Sequence, residues 1–119
     1  MIVNVSDAKK QLVEKGKNAY FLLLAKADVE GGCFMRMFIL EPGGYLPKHR
    51  HNKIYHLQYV LEGKLKVRIG DKEYILKKGD SIFVDGRCWH EYINISDSTS
   101  KFLCITPNIQ DEMIYYEDT

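Results

Sequence analysis

All four histidines of this 119-residue chain fall in two glycine-punctuated stretches. His49, His51 and His56 lie in PGGYLPKHRHNKIYHLQYVLEG, from Pro42 to Gly63, and His90 lies downstream in GDSIFVDGRCWHEYIN. Neutral imidazole is the commonest side-chain metal ligand and suits zinc, copper, iron and nickel. Residues two apart on a strand face the same side, so His49 and His51 can chelate one ion from one extended segment. His56 opens the next strand after the short connection Asn52–Lys53, and His90 opens a later one. A lone histidine is usually a surface or packed residue. Four grouped in this way, two of them as His-x-His, point instead to one divalent metal.

The same parity rule picks out the neighbours. Gln58 shares the face of His56, and Tyr92 that of His90, so both are expected to project inward. Gln58 is placed to bond a ligating imidazole or a substrate, or else backbone, whereas Tyr92 reads as packing. Arg36 is the one charge in an apolar strand: facing inward it would anchor an anion, facing outward it would be solvated, and the inward reading is preferred. Cys104, in an apolar run, reads on its own as a small core residue. Trp89 reads as a pocket-rim or interface aromatic.

Short strands must position these groups. Met1–Val5 could form an edge strand, and Ser6 or Asp7 could cap a marginal helical turn reaching Leu12. Ala19–Lys26 and Cys33–Leu40 read as strands around the turn Asp28–Gly32, and Glu41-Pro42-Gly43-Gly44 reads as a break. Tyr55–Leu61 and Lys64–Ile69 look like a hairpin across Glu62-Gly63, followed by a second, Val67–Ile69 with Tyr74–Leu76, across Gly70-Asp71. Beyond the turn Lys77–Asp80 come Ser81–Val84, Trp89–Ile95 and Lys101–Thr106, with Met113–Tyr116 an apolar tail of unassigned form. About nine short strands without a convincing helix predict an all-β sandwich or barrel. The outer face of one strand carries Tyr55, Leu57, Tyr59 and Leu61. A face this apolar needs covering, by another sheet or by a two-fold partner.

Composition narrows the classes of function. Seventeen basic against 16 acidic side chains leave a net charge of +1, and no basic run marks a nucleic-acid surface. No apolar run approaches membrane-span length. The start MIVNVSDAKK lacks signal-peptide features, and Cys33, Cys88 and Cys104 are odd in number and widely spaced. A cytoplasmic protein with reduced thiols is expected.

The histidine stretches resemble the two motifs of the cupin superfamily. Gly43, His49, His51, position 56 and Gly63 keep the spacing Gly-x5-His-x-His-x(3,4)-Glu-x6-Gly, except that position 56 is His instead of Glu. Gly79, His90 and Asn94 keep that of Gly-x5-Pro-x-Gly-x2-His-x3-Asn, with Asp85 and Arg87 in place of the Pro and the second Gly. The exchange at position 56, with the flanks Met35–Phe38 and Phe102–Ile105, is similar to a four-histidine, manganese-type subgroup of small cupins. The resemblance implies a cupin-type double-stranded β-helix or jelly-roll barrel in a single domain. Its core would span about 33–107, with N-terminal strands in 1–32 and a short tail over 108–119. It also implies Cys104 lining the metal pocket, and a homodimer.

Four neutral histidines leave a divalent site one unit more positive than three histidines and a glutamate, which favours anionic ligands and a more acidic bound water. Four ligands on a six-coordinate ion leave two positions for a chelating substrate, or for substrate and dioxygen. The expected activity is that of a metal-dependent oxygenase-like enzyme acting on a small anionic or oxygen-chelating molecule. Arg36, Gln58, Tyr92 and Cys104 are the candidate substrate-side groups, and manganese, iron, zinc, nickel or copper the candidate metal. The alternative is a non-catalytic small-ligand or metal-binding module, because fold does not decide chemistry.

Overall fold

The computed structural model describes residues 2–117. Ten strands follow a 3-10 turn at Val5–Asp7: β1 (Gln11–Leu12), β2 (Lys17–Lys26), β3 (Cys33–His51), β4 (Tyr55–Glu62), β5 (Lys64–Ile69), β6 (Lys72–Lys77), β7 (Ser81–Asp85), β8 (His90–Asn94), β9 (Ser100–Pro107) and β10 (Met113–Tyr115). The strand order β6-β5-β8-β3-β9-β4-β7, antiparallel throughout, makes a nearly closed barrel of the jelly-roll type.

Alternating burial writes the inside and outside of the barrel into β4, β8 and β9. β9 alternates buried and half-buried residues along its whole length, placing Ser100, Phe102, Cys104 and Thr106 inside. On β4 the inward row is His56, Gln58, Val60, and on β8 it is His90, Tyr92, Asn94. These rows run from imidazoles at one end of the barrel to an apolar plug at the other. There Leu40, Val60, Leu65, Val67 and Phe102 are almost fully buried, with Phe102 stacked between Phe38 and Tyr92 at 5.1 and 5.3 Å. One end is therefore closed by hydrophobic burial, and the other is left for chemistry.

Four expectations about local structure are corrected. Glu41–Gly44 does not break a strand: β3 continues through it and changes neighbours, pairing with β9 up to Leu40↔Ser100 and with β8 from Tyr45↔Ile93. Gly43, at φ 75°, supplies the bend that carries β3 from one sheet to the other. β4 and β5 do not form a hairpin. β4 pairs with β7 and β9, while β5 pairs with β6 and β8. Gly63, at φ 84°, turns the chain between sheets so close to β9 that an added Cβ would come within 2.7 Å of Ser100 Cα. Near the N-terminus, Met1 lies outside the described residues, 2–4 make no ladder, and Ile2 is fully exposed. The turn that follows is capped by Asn4, whose carboxamide accepts from Ser6 N, rather than by Ser6 or Asp7, and it ends well before Leu12. The second hairpin, β5–β6, forms as expected.

Candidate metal centre

Three strands deliver four imidazoles to the open end. β3 brings His49 and His51, the start of β4 brings His56, and the start of β8 brings His90. One nitrogen from each lies within 4.8 Å of the others, and all four side chains are buried. His90 and His51 each meet the other three rings: centroids lie 4.2 Å apart for His90–His49, 5.2 Å for His90–His56, 5.8 Å for His90–His51, 5.1 Å for His51–His49 and 5.2 Å for His51–His56.

The outer nitrogens set the tautomers. His49 Nδ1 lies 2.7 Å from Pro47 O, and His90 Nδ1 lies 2.7 Å from Cys88 O. A carbonyl can only accept, so both Nδ1 atoms carry the proton and the Nε2 lone pairs are free. Nε2 of His51, His56 and His90 is buried without a hydrogen-bond partner. Three such atoms aimed at one point would be costly as an apolar core, but they are what a cation requires. The donor set fits the implied divalent ion, and the group could hold one.

Burial also keeps these rings neutral. Desolvation, followed by the neighbouring imidazoles, lowers His51 to about 4 and His56 to about 2, with the positive field of Arg36 adding to both. His90 is lowered to about 3, first by desolvation and then by His49, and burial lowers His49 as well.

His49, His51 and His56 line a cavity of about 530 Å³. Arg36, Gln58, Tyr92 and Cys104 all line it, Gln58 and Tyr92 on the inward faces that strand parity assigns and Arg36 on the preferred inward side. Gln58 bonds neither an imidazole nor backbone. It donates through Nε2 to Cys104 Sγ at 3.4 Å and accepts from Tyr92 OH at 2.9 Å. Tyr92 is thus a bonded member of the wall as well as packing. Cys104 Sγ lies 3.5 Å from His56 Nδ1, so the sulfur ties this network to the histidine cluster. Burial pushes the thiol up to about 11 and raises the Tyr92 phenol, so both stay neutral and the network carries no charge of its own. Trp89 stands outside this wall, edge-to-face with Tyr116 at 5.3 Å, and Cys33 and Cys88 are exposed.

The loop before His90 departs from the cupin pattern and is stabilised differently. Asp85 accepts from Arg87 N at 3.0 Å and forks onto its guanidinium at 3.0 and 2.8 Å. The glycine sits one residue earlier, at Gly86, whose carbonyl accepts from His51 N at 2.6 Å.

Several contributors carried no signal of their own in the sequence. Thr106 and Phe34 line the cavity and could have been reached by extending the parity of Cys104 and Arg36 by one more step. Asp111 could not. Its carboxylate takes the backbone N–H groups of Asn52, Lys53 and Ile54 at 2.9–3.2 Å, pinning the His51–His56 connection to the tail. Partial desolvation would raise this carboxyl, but with Glu112 N added the four amides outweigh it and bring it down to about 2. The tail then forms β10 along β3, with Tyr115 opposite His49 at the cavity mouth.

Residues 36–106 match the family model described as Cupin domain. Over 66 residues the chain is 30% identical to an uncharacterised protein of Methanocaldococcus jannaschii, covering 56% of this chain and 53%, about half, of that protein's length. Among solved structures it is similar to the polyketide cyclase RemF of Streptomyces resistomycificus, with a TM-score of 0.83 and 21% identity over 98% of this chain and 85% of that one. It is also similar to a predicted oxalate decarboxylase of Thermotoga maritima, with a TM-score of 0.76 and 20% identity over 92% of this chain and 100% of that one. At these identities the solved structures share the fold.

Proposed function

The chain belongs to the Cupin domain family, and from that premise we propose a metal-dependent, oxygenase-like enzyme acting on a small anionic or oxygen-chelating molecule. One observation carries the reading: of the four clustered, buried imidazoles, those of His49, His51 and His56 line a substrate-sized cavity together with the cation Arg36, and the only carboxylates among its described lining residues are Glu14 and Asp111. Asp111 is occupied by backbone amides, and Glu14 is exposed at the mouth, 3.5 Å from Tyr115 OH. With no buried carboxylate placed as a general base among the described residues, chemistry that starts by proton abstraction is disfavoured relative to oxygen chemistry.

A divalent metal held by His49, His51, His56 and His90 supplies Lewis acidity and, if manganese, iron, copper or nickel, redox reactivity. The protein's own part is positioning. Cys104 and Gln58 steady the His56 ring, Arg36 attracts the anion, and the Phe38 and Phe102 rings keep water from the inner wall.

The test is elemental analysis of untagged protein, followed by dioxygen uptake against enolic and phenolic compounds. About one equivalent of redox metal together with substrate-dependent uptake is expected. Zinc alone with no turnover would move the assignment to a binding module, and no metal even after reconstitution would end both.

A second copy of the chain is proposed to cover the outer strip of Tyr55, Leu57, Tyr59 and Phe83, which are 42–61% exposed. These four side chains carry no charge, and an uncharged strip is complementary to itself across a two-fold axis. Sedimentation should give a dimer for the native chain and a monomer for Leu57→Glu/Phe83→Glu; a native monomer would refute it.

A further inference from the structure

We propose that Arg36 and Thr106 form a carboxylate subsite beside the histidine cluster, so that the ligand is a flat, ring-bearing carboxylate whose other end chelates the metal. This rests on the metal reading above for the far end of the ligand, and on Arg36 alone for the near end.

Arg36 is half-buried on the cavity wall, and none of the ion pairs among the described residues includes it. Its only side-chain hydrogen bond among those residues runs from Nη1 to Thr106 Oγ1 at 3.3 Å. Most of its five N–H donors are therefore uncommitted. A guanidinium withdrawn from water without an anion is unfavourable, and its desolvation lowers its pKa. Such a group is poised for an incoming negative charge.

Geometry limits what that charge can belong to. The registers Arg36↔Cys104 and Gln58↔Cys104 put the three residues in one row across β3, β9 and β4. His56 sits one inward position further along β4. At strand spacing this separates the Arg36 and His56 backbones by about 12 Å. With both side chains reaching inward, the remaining gap suits a ligand about one ring long.

The surroundings are aromatic. The guanidinium carbon lies 4.8 Å from the Phe34 ring centre and 5.8 Å from that of Phe21, and Phe38 and Phe102 continue the wall. A planar fork between apolar faces recognises a planar carboxylate better than a heavily hydrated phosphate, which would call for further cations. Among the described residues, no lysine lines the cavity. A saturated dicarboxylate would satisfy the charge but leave the aromatic wall unused.

The test uses zinc-loaded protein, so that binding is read without turnover, with 3,4-dihydroxybenzoate, catechol and benzoate as titrants. Native protein should bind dihydroxybenzoate at least about tenfold more tightly than catechol. In Arg36→Gln that preference should fall below about threefold, with dihydroxybenzoate losing several times more affinity than catechol. Arg36→Lys, which keeps the charge without the fork, should fall between the two and guards against misfolding of the first variant. Equal affinity for the two ligands in native protein, or a preference that survives Arg36→Gln, would overturn the proposal. Metal-free protein separates the two readings. If no metal binds, benzoate binding that is lost in Arg36→Gln still upholds the subsite, and benzoate binding that ignores the substitution removes it.

Discussion

Replacing His90 with alanine is expected to lower the affinity for a divalent metal by more than about a hundredfold, beyond what loss of a residue that merely supports a ligand costs. His90 is 1% exposed, its ring is nearest to that of His49, and its Nδ1 is held by Cys88 O. The three remaining imidazoles come from β3 and β4 alone, so one side of the coordination sphere is lost rather than rearranged. Competition against a chelator of known affinity, using untagged protein, measures the effect. His90→Gln should behave similarly while filling more of the space, which separates a lost ligand from a cavity-induced loss of packing. An affinity within about threefold of native in both variants would remove the metal centre from the account.

The second large effect concerns acid. In metal-free protein, burial and then the neighbouring imidazoles push His51, His90 and His56 down to about 4, 3 and 2, against about 6.5 in an unfolded chain. The folded values are depressed, so between these limits the unfolded chain binds protons that the folded one excludes. Stability is then full above about pH 6.5 and falls as pH drops, by up to about 1.4 kcal/mol per pH unit for each such histidine. Mutual repulsion and relaxation reduce the sum. Even so, several kcal/mol should be gone by about pH 4.5, a large share of what a domain of this size has. The expected outcome is a melting temperature that is flat above pH 7 and falls steeply below 6.5. Asp111 acts in the same direction but in a lower window, between about 3.9 and its folded value of about 2. It therefore does not account for losses above pH 5. A metal-free melting temperature unchanged from pH 7 to 5 would show that the rings are not buried as described.

The candidate site was unusually legible. Ligand type and two-residue spacing singled out His49 and His51, and parity carried the reading to Gln58 and Tyr92, because alternation is a local property of an extended backbone. The Gln58–Cys104–Tyr92 network was not legible in the same way. Its members come from β4, β9 and β8, and nothing near Gln58 in the chain indicates which side chain will lie across from it.

The same division runs through the fold. Hydrophobic alternation and turn residues were enough to define an all-β chain, most of its strands and the inward face of those that carry His56 and His90. Apart from the β5–β6 hairpin, whose tight turn makes it local, strand partnership was beyond them, because backbone hydrogen bonds are alike at every residue and the ladder does not record which strand it joins. Glu62-Gly63 therefore reads as a hairpin turn, yet packing of Gly63 against Ser100 sends β5 to β8. Likewise Pro42–Gly44 reads as a stop, yet β3 continues because new neighbours take over its ladder beyond the bend. Asp111 acquires its role only when β10 docks beside β3 and the amides of 52–54 come within its reach. Side-chain chemistry and its facing are written locally; the pairings that turn four separate histidines into one buried cluster arise only when distant strands meet and bury their apolar faces together.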